Sequence, residues 1–198
     1  PDDVAVGPDG SIYYTDIMGG NVGRISADGH LTKQPVATFN NPIAFDAKGR
    51  LFVAQAFQGD CLYEVDPALV KQPTKVLCGS GEKGFPDQLN GFDFGLDGML
   101  YAPHPALRQI VRIDIATRTV TVVAKDLGGN PSSVEFDANG HLYASLGQGP
   151  VIRVDIETGA VTNVTTLPFS LDNMVFDNRG RLFVSNSDDG HVDRVLPA

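Results

Sequence analysis

The sequence predicts an all-β protein of the β-propeller class, with about five four-stranded blades present. Three observations predict it. A strand–turn–strand motif recurs five times, and its first strands start at Val4, Ile43, Phe92, Val134 and Met174, which are 39, 49, 42 and 40 residues apart. Repeats of this period that are built from β-rich segments are typical of propeller blades. The segments between the motifs are β-branched and end in turn residues, without helical periodicity.

Each copy of the motif has an apolar strand, a turn that ends in Gly, and a second apolar strand. The five copies are Val6–Tyr14, Phe45–Val53, Phe94–Tyr101, Phe136–Tyr143 and Phe176–Phe183. A third strand with Arg or Glu among apolar residues follows each copy. A Val/Thr-rich fourth strand is predicted at Val36–Phe39, Lys75–Cys78, Val120–Val123 and Val161–Thr165.

The repeats predict one propeller domain over residues 1–198, with blades that start near residues 1, 40, 89, 131 and 171. The fifth copy ends before its fourth strand. Propellers protect their sheet edges by closing into a ring. We therefore expect the domain to be incomplete and part of a six-bladed ring, with a closed ring of five as the alternative.

Charge and hydropathy argue against two classes of binding partner, nucleic acids and membranes. The formal net charge of -9 argues against nucleic-acid binding, which needs a basic surface to replace phosphate counterions. No apolar run approaches the roughly 20 residues that span a bilayer, so no membrane partner is expected. A small-molecule substrate is the expected partner. The oligomeric state and the compartment, whether secreted, periplasmic or otherwise, stay open.

Polar residues stand just before each first strand, at a position that we call the first-strand column. Its members all carry side-chain oxygen: Asp2, Asn41, Asn90, Ser132 and Asp172. The innermost strand of each propeller blade lines the central channel, so these side chains are expected to gather there. Oxygen donors suit a hard cation, with Ca²⁺ expected first and Zn²⁺ or Mg²⁺ as alternatives. The other interpretation is that they cap turns at the strand starts.

A second set of aspartates is predicted at the opposite end of the channel. These hairpin aspartates lie in the turn after each first strand: Asp9, Asp46, Asp97, Asp137 and Asp177. The following glycines supply the positive φ that such turns need. We therefore interpret this set as turn formers.

The loops after the second strands return to the same end as the first-strand column. They offer rim residues: Asp16, Gln55, His104, Gln148 and Asn186. Asp16 and Gln148, with Asn41 and Asn90 of the column, are the predicted substrate-binding residues. His104 is the rim residue that titrates near neutral pH, so it is a candidate base. The alternative interpretation is that His104 is an exposed histidine in a loop, without a catalytic role.

The two cysteines and one insertion belong to the second repeat. Cys61 and Cys78 are predicted nearly opposite each other in a hairpin, as a disulfide or as two free thiols, and their spacing does not indicate a zinc site. Residues 79–87 account for the 49-residue spacing. They form either a loop over the first-strand column or an insertion without a role.

These motifs resemble the SMP-30/gluconolactonase/LRE-like (regucalcin-like) six-bladed propellers. Leu89–Phe94 and Leu171–Asp177 carry the resemblance most clearly, and it extends over the whole chain. In that family one divalent metal lies in the channel, held by an acidic residue of an early blade and by Asn and Asp residues of later blades. The resemblance therefore implies metal-dependent hydrolysis of a lactone or related ester.

Matching the blade order carries the family's roles onto this chain. The resemblance implies metal ligands at Asp2, Asn90, Ser132, Asp172 and Asn173. Asp172 is also the implied base, with His104 as the other candidate. The family usually has Glu where Asp2 stands and Asn where Ser132 stands. A start on a different blade would make Asn41 a ligand instead.

Two other classes stay open from the sequence. One is a non-catalytic propeller of the NHL type that binds a ligand or a protein. The other is a metal-free propeller lyase or synthase, with a base such as His104. Fold alone does not separate these classes, because function depends on the site.

Overall fold

A computed structural model describes residues 1–79, 84–86 and 88–195. The protein is all-β and has the β-propeller fold, with five antiparallel sheets that follow one another along the chain. Each sheet is a blade whose strands pair in sequence order. Among the described residues, no helix is long and apolar enough to cross a bilayer.

The blades agree with the predicted repeats. Blade 1 contains β1 (Val4–Val6), β2 (Ile12–Asp16), β3 (Asn21–Ile25) and β4 (Leu31–Pro35). Blade 2 contains β5 (Asn40–Phe45), β6 (Leu51–Gln55), β7 (Cys61–Val65) and β8 (Thr74–Cys78). Blade 3 contains β9 (Asp93–Phe94), β10 (Leu100–His104), β11 (Gln109–Asp114) and β12 (Thr119–Ala124). Blade 4 contains β13 (Ser133–Phe136), β14 (Leu142–Ser145), β15 (Pro150–Val154) and β16 (Val161–Thr166). Blade 5 contains β17 (Leu171–Phe176), β18 (Leu182–Asn186) and β19 (Val192–Arg194).

The fourth strand of blade 1 was predicted at Val36–Phe39, and that prediction is wrong. The strand is Leu31–Pro35, which pairs with β3 from Ile25↔Leu31 to Asn21↔Pro35. The ladder begins directly after the Asp28-Gly29 turn, and Pro35 ends it. Phe39 has a positive φ of 59°, which a strand does not accommodate.

The chain divides into two compact units. The first contains Pro1–Asn90 and Ile115–Thr119, and the second contains Gly91–Asp114 and Val120–Ala198. The first unit has a core between blades 1 and 2 that includes the fully buried Val22, Leu51 and Val53. The second has one core between blades 3 and 4 and another between blades 4 and 5.

A repeated aromatic contact joins neighbouring blades within each unit. A ring on the second strand of one blade meets the Phe that ends the first strand of the next. In the first unit Tyr13 and Phe45 have centroids 5.1 Å apart, edge to face. In the second unit the pairs are Tyr101–Phe136 and Tyr143–Phe176, both at 4.9 Å. Each pair adds about 0.5–1.5 kcal/mol beyond the area that it buries.

The hairpin aspartates form turns, and the turns are of two kinds. Asp46, Asp137 and Asp177 stand three residues before the turn glycine and accept N–H bonds from residues two and four positions further on. Asp9 and Asp97 stand directly before the glycine and accept from the residue two positions further on. The turn glycines have φ between 71° and 81°, as predicted.

Candidate functional site

The first-strand column lies at the start of the innermost strands, and two of its members sit in β-bulges. In β5 the register shifts between Asn40 and Ile43, around Asn41. In β17 it shifts between Leu171 and Met174, around Asp172 and Asn173. A bulge adds a residue to one strand and redirects its side chains. These three predicted site residues are therefore displayed outside the regular alternation of the strand.

In the first unit Thr15 joins two members of the column, one through its backbone carbonyl and the other through its buried hydroxyl. The Thr15 carbonyl accepts a 2.9 Å hydrogen bond from the Asp2 N–H. The Thr15 hydroxyl donates a 2.7 Å bond to the Asn41 carbonyl and accepts one of 3.0 Å from the Asp3 N–H. The backbones of Asp2 and Asn41 are thus both bonded to Thr15.

The Asn41 side chain is buried, with 2% of its surface exposed. Its amide oxygen, Oδ1, has no hydrogen-bond partner among the described residues. The Asp2 oxygen Oδ2, on the adjoining blade, is also buried. A buried acceptor without a donor costs about 1–3 kcal/mol, so a native structure keeps one where it has a use. Amide and carboxylate oxygens of this kind fit a hard divalent cation.

The second unit repeats the arrangement with serine. The Ser145 hydroxyl lies 2.7 Å from the hydroxyls of Ser132 and Ser133. It also accepts a 3.1 Å bond from the Ser133 N–H and donates at 3.4 Å to the Asp172 carbonyl. Ser132 and Asp172, both predicted ligands, are therefore brought together on neighbouring blades. The Ser132 hydroxyl also bonds to the Leu171 carbonyl at 3.2 Å, so it holds the backbone of blade 5.

Three neighbouring blades of the second unit approach one another closely at Gly91. Its φ is 26°, and its carbonyl accepts a 2.7 Å bond from the Val134 N–H. A Cβ at this position would overlap Ser133 Cβ and would lie 2.9 Å from Asn173 Oδ1. Asn173 itself is held by Ser185, whose hydroxyl accepts its N–H at 2.8 Å. Blades 3, 4 and 5 thus approach one another at Gly91, one residue after Asn90 of the column.

Two carboxylates that were not predicted as site residues tie first strands to each other. Asp3 Oδ2 accepts the Ile43 N–H of the next blade at 3.0 Å. Asp93 Oδ2 does the same for the Phe136 N–H at 2.9 Å, and its other oxygen accepts from Phe94 at 2.7 Å. Burial raises the pKa of Asp93 to about 6, against the effect of these two N–H donors. Asp93 is therefore a half-buried acid whose pKa lies well above the usual aspartate range.

Three of the predicted substrate-binding residues are half-buried or exposed. Asp16 is half-buried, and the N–H of Gly19 that its carboxylate accepts lowers its pKa. Gln148 is exposed in the loop between β14 and β15. Asn90 is half-buried at the end of the first unit. None of these placements tests the predicted substrate contacts, which stay predictions.

His104 was expected in an exposed loop or as a rim base, and the structure buries it. It is the last residue of β10, opposite Gln109, and only 7% of its surface is exposed. The strand continues through Pro103 because its partner strand β11 pairs along the whole of Leu100–His104. The exposed-loop interpretation of His104 is therefore wrong, while its proposed role as a base is untested.

Cys61 and Cys78 form a disulfide, one of the two alternatives that the sequence left open. The predicted insertion is described only in part, since residues 80–83 and 87 lie outside the described residues. Within it, Phe85 and Pro86 are buried.

Sequence reasoning missed the hydroxyls that organise the site. Thr15, Ser145 and Ser185 each stand three residues after the apolar residue that opens the second strand, in Ile12–Thr15, Leu142–Ser145 and Leu182–Ser185. A hydroxyl that recurs at one position of an otherwise apolar strand was a usable signal. Its meaning depends on contacts with the next blade, which the sequence of one blade does not contain.

Comparison with known proteins places the fold and leaves the activity open. No family model matches the chain. An uncharacterised protein of Sulfolobus acidocaldarius is 29% identical over 116 residues, which cover 52% of this chain and 42% of that protein. The chain therefore spans less than half of its curated relative, and the family resemblance stays a prediction.

Solved structures similar to this chain include enzymes and binding proteins. A catalytically inactive variant of virginiamycin B lyase from Staphylococcus aureus, with quinupristin, has a TM-score of 0.73 and 17% identity over 99% of this chain and 66% of its own. A nidogen/laminin complex has a TM-score of 0.79 and 18% identity over 96% of this chain and 73% of the other. A candidate gluconolactonase has a TM-score of 0.62 and 13% identity over 98% and 90%. At these identities the likeness shows the fold alone.

Proposed function

We propose that this chain is a propeller hydrolase that cleaves a lactone or related ester with the help of a divalent cation, Ca²⁺ first. The observation that carries the proposal is the buried Asn41 Oδ1, which lacks a hydrogen-bond donor among the described residues. With Asp2 on the adjoining blade, it supplies the hard oxygen donors that such a cation prefers. The resemblance to lactonase propellers and the candidate gluconolactonase among the similar structures support the same class.

The roles are assigned within each unit. In the first unit Asp2 and Asn41 are the proposed cation ligands, and Thr15 holds their backbones. When bound, a divalent cation supplies Lewis-acid polarisation of a carbonyl and lowers the pKa of water. In the second unit Asp172 is the proposed proton acceptor, with its backbone held by Ser145. Ser132 is assigned to this support rather than to metal binding, because its hydroxyl already contacts Ser145 and Leu171.

A panel of lactones and aryl esters, assayed with and without chelator, tests the proposal. We expect hydrolysis that chelator abolishes and Ca²⁺ restores. Asp172→Asn should lower kcat by about 10²–10⁴-fold, the usual contribution of a general base. Asp177→Asn is the matched control, because it changes a turn carboxylate five residues away in the same blade.

Absence of turnover on the whole panel with Ca²⁺ present would contradict the proposal and favour a binding propeller. Turnover that is insensitive to chelator would contradict the cation's role. It would favour the metal-free class, in which His104 becomes the residue to substitute.

A further inference from the structure

Blade 2 has a compact group of metal-ligating side chains at the end of its outer hairpin. Cys61 opens β7, Cys78 ends β8, and Asp60 directly precedes Cys61. The Asp60 carboxylate oxygen and the two sulfur atoms all lie within 4.8 Å of one another. Within the described part of the chain, this is the one such group of three. The sulfurs are joined as a disulfide, which is a poor metal ligand compared with thiolates.

A β-bulge places the two cysteines face to face. Glu64 pairs with Thr74 and Tyr63 with Lys75, but the register then shifts, so that Leu62 pairs with Leu77 and Cys61 with Cys78. Without the extra residue, Cys61 would stand opposite Leu77. Because strand side chains alternate between faces, Cys78 would then point away from Cys61.

The backbone also fixes Asp60 against the cysteines. The Gly79 N–H donates a 2.9 Å bond to the Asp60 carbonyl, which extends the β7–β8 pairing by one step. Asp60 Oδ1 lies 3.4 Å from Cys61 Sγ. A Cβ at Gly79 would lie only 3.2 Å from Asp60 Cβ, so glycine leaves room for this side chain. Both Asp60 and Cys78 are half-buried and thus reachable from solvent.

We propose that reduction of the Cys61–Cys78 disulfide converts this group into a binding site for a thiophilic divalent cation of the Zn²⁺ class. A dithiol reductant breaks the S–S bond, is itself oxidised to a disulfide, and leaves two protein thiols. Metal binding then releases two protons from these thiols and forms two metal–thiolate bonds. The Asp60 carboxylate is the third ligand.

The spacing suits such a site. Zinc–sulfur bonds of about 2.3 Å in a tetrahedron place two thiolates about 3.8 Å apart. The present atoms span at most 4.8 Å, so rotation of the cysteine side chains suffices and the strands need not separate. Three protein ligands leave one coordination position for water, as in zinc sites with an open position rather than in closed structural ones.

This site is independent of the proposed hydrolase function. It uses soft sulfur ligands at the outer strands of blade 2, whereas Asp2 and Asn41 offer hard oxygens at the innermost strands. The two kinds of site are therefore distinguishable by spectroscopy, even if the same metal reaches both.

Anaerobic titration of the full chain with Co²⁺, after reduction with a phosphine and its removal, tests the proposal. We expect about one Co²⁺ per chain with thiolate-to-cobalt charge-transfer absorption, a signature that oxygen ligands do not produce. Zn²⁺ should displace the cobalt and abolish the absorption. The oxidised protein should not develop it.

Asp60→Asn should weaken Co²⁺ binding by about 10–100-fold, a loss that even second-shell changes at metal sites produce. Glu64→Gln, a carboxylate change on the same hairpin, is the matched control and should bind like wild type. Cys78→Ser should lose the absorption, with circular dichroism as the check on folding. Equal affinity in Asp60→Asn and wild type, absence of the absorption in the reduced protein, or unfolding on reduction would each overturn the proposal.

Discussion

Asn41 is a buried residue, with 2% of its surface exposed. Its amide oxygen has no hydrogen-bond donor among the described residues. The neighbouring Asn40 also has a buried oxygen without a donor among the described residues, but its Nδ2 donates a 3.0 Å bond to the Asn21 carbonyl and so supports the backbone of blade 1. Asn40 therefore has a structural use for part of its amide. For Asn41 we propose that the buried oxygen binds a ligand.

The raised pKa of Asp93 predicts that the free energy of unfolding falls as the pH rises. Its pKa is about 6 in the folded protein and near 3.8 when unfolded, so the folded state keeps a proton that the unfolded state releases between these values. Its contribution to the free energy of unfolding is therefore present below pH 4 and lost as the pH rises to about 6. The loss amounts to up to about 3 kcal/mol.

Urea unfolding of wild type and Asp93→Asn from pH 4 to 7.5 measures this effect. Asparagine stays neutral but offers one oxygen to the two N–H donors, so the variant should lose a pH-independent amount of stability. Relative to wild type, its free energy of unfolding should then rise by up to about 3 kcal/mol between pH 4 and pH 7. Carboxylates with lowered pKa, such as Asp177, lose their contribution only as the pH falls below about 4, equally in both proteins. A difference between the two proteins that is constant with pH would contradict the assignment.

At the scale of the element, neighbouring blades are joined by hydroxyl groups on second strands. Thr15 and Ser145 each bond to the first strand of their own blade and to the backbone of the next. The contact is local in space but not in sequence, since Thr15 and Asn41 are 26 residues apart. The column residues are thus positioned by a part of each blade that does not itself belong to the column.

Thr15→Val should lower the free energy of unfolding by about 1–3 kcal/mol. The substitution keeps the volume but leaves the Asp3 N–H and the Asn41 carbonyl without their hydroxyl partner. Thr162→Val, at an exposed position of β16, is the control and should stay within about 0.5 kcal/mol of wild type. Equal effects of the two substitutions in urea unfolding would show that the hydroxyl contributes nothing.

Gly91→Ala should be among the most damaging small substitutions in the chain. The added Cβ would overlap Ser133, and alanine is also disfavoured at a positive φ. Overpacking and backbone strain together should cost about 2–5 kcal/mol. Gly128→Ala in the same unit is the control, because Gly128 has a φ of 79° but nothing lies within 4 Å of an added Cβ. Thermal unfolding of this variant should show only the cost of backbone strain, about 1–2 kcal/mol. A smaller loss at Gly91 than at Gly128 would contradict the close approach of the blades.

The repeat made the blades predictable because each blade obeys local rules. Strand alternation, a turn glycine and a β-rich third strand can all be recognised within one copy. Local rules failed at Leu31–Pro35, where Lys33, Gln34 and Pro35 have little β-character and pairing with β3 decides the strand. Local rules also failed at His104. The strand continues past Pro103 because it pairs with β11, and His104 is buried there. The disulfide depended on a bulge, which the sequence does not mark.

At the scale of the whole molecule, the propeller fold explains how residues about 40 positions apart become neighbours. The structure brings together Asp2 with Asn41, and Ser132 with Asp172, each pair on consecutive blades. Blade 1 exposes Val4, Val6 and Ile12, and the counterpart of Val6 in blade 2, Phe45, is covered by Tyr13 of the preceding blade. A further blade, as the sequence predicted, would cover that face, and this stays a prediction.

The most direct test of the proposed cation site is calorimetric titration of Ca²⁺ into wild type and Asn41→Leu. Leucine has a similar shape and removes a buried acceptor that has no donor among the described residues, so the free energy of unfolding should stay within about 1 kcal/mol or rise. We predict that wild type binds one Ca²⁺ per chain and that Asn41→Leu binds it at least about tenfold more weakly, a loss of about 1.4 kcal/mol. Equal Ca²⁺ affinity in the two proteins, or no binding to wild type, would contradict the account.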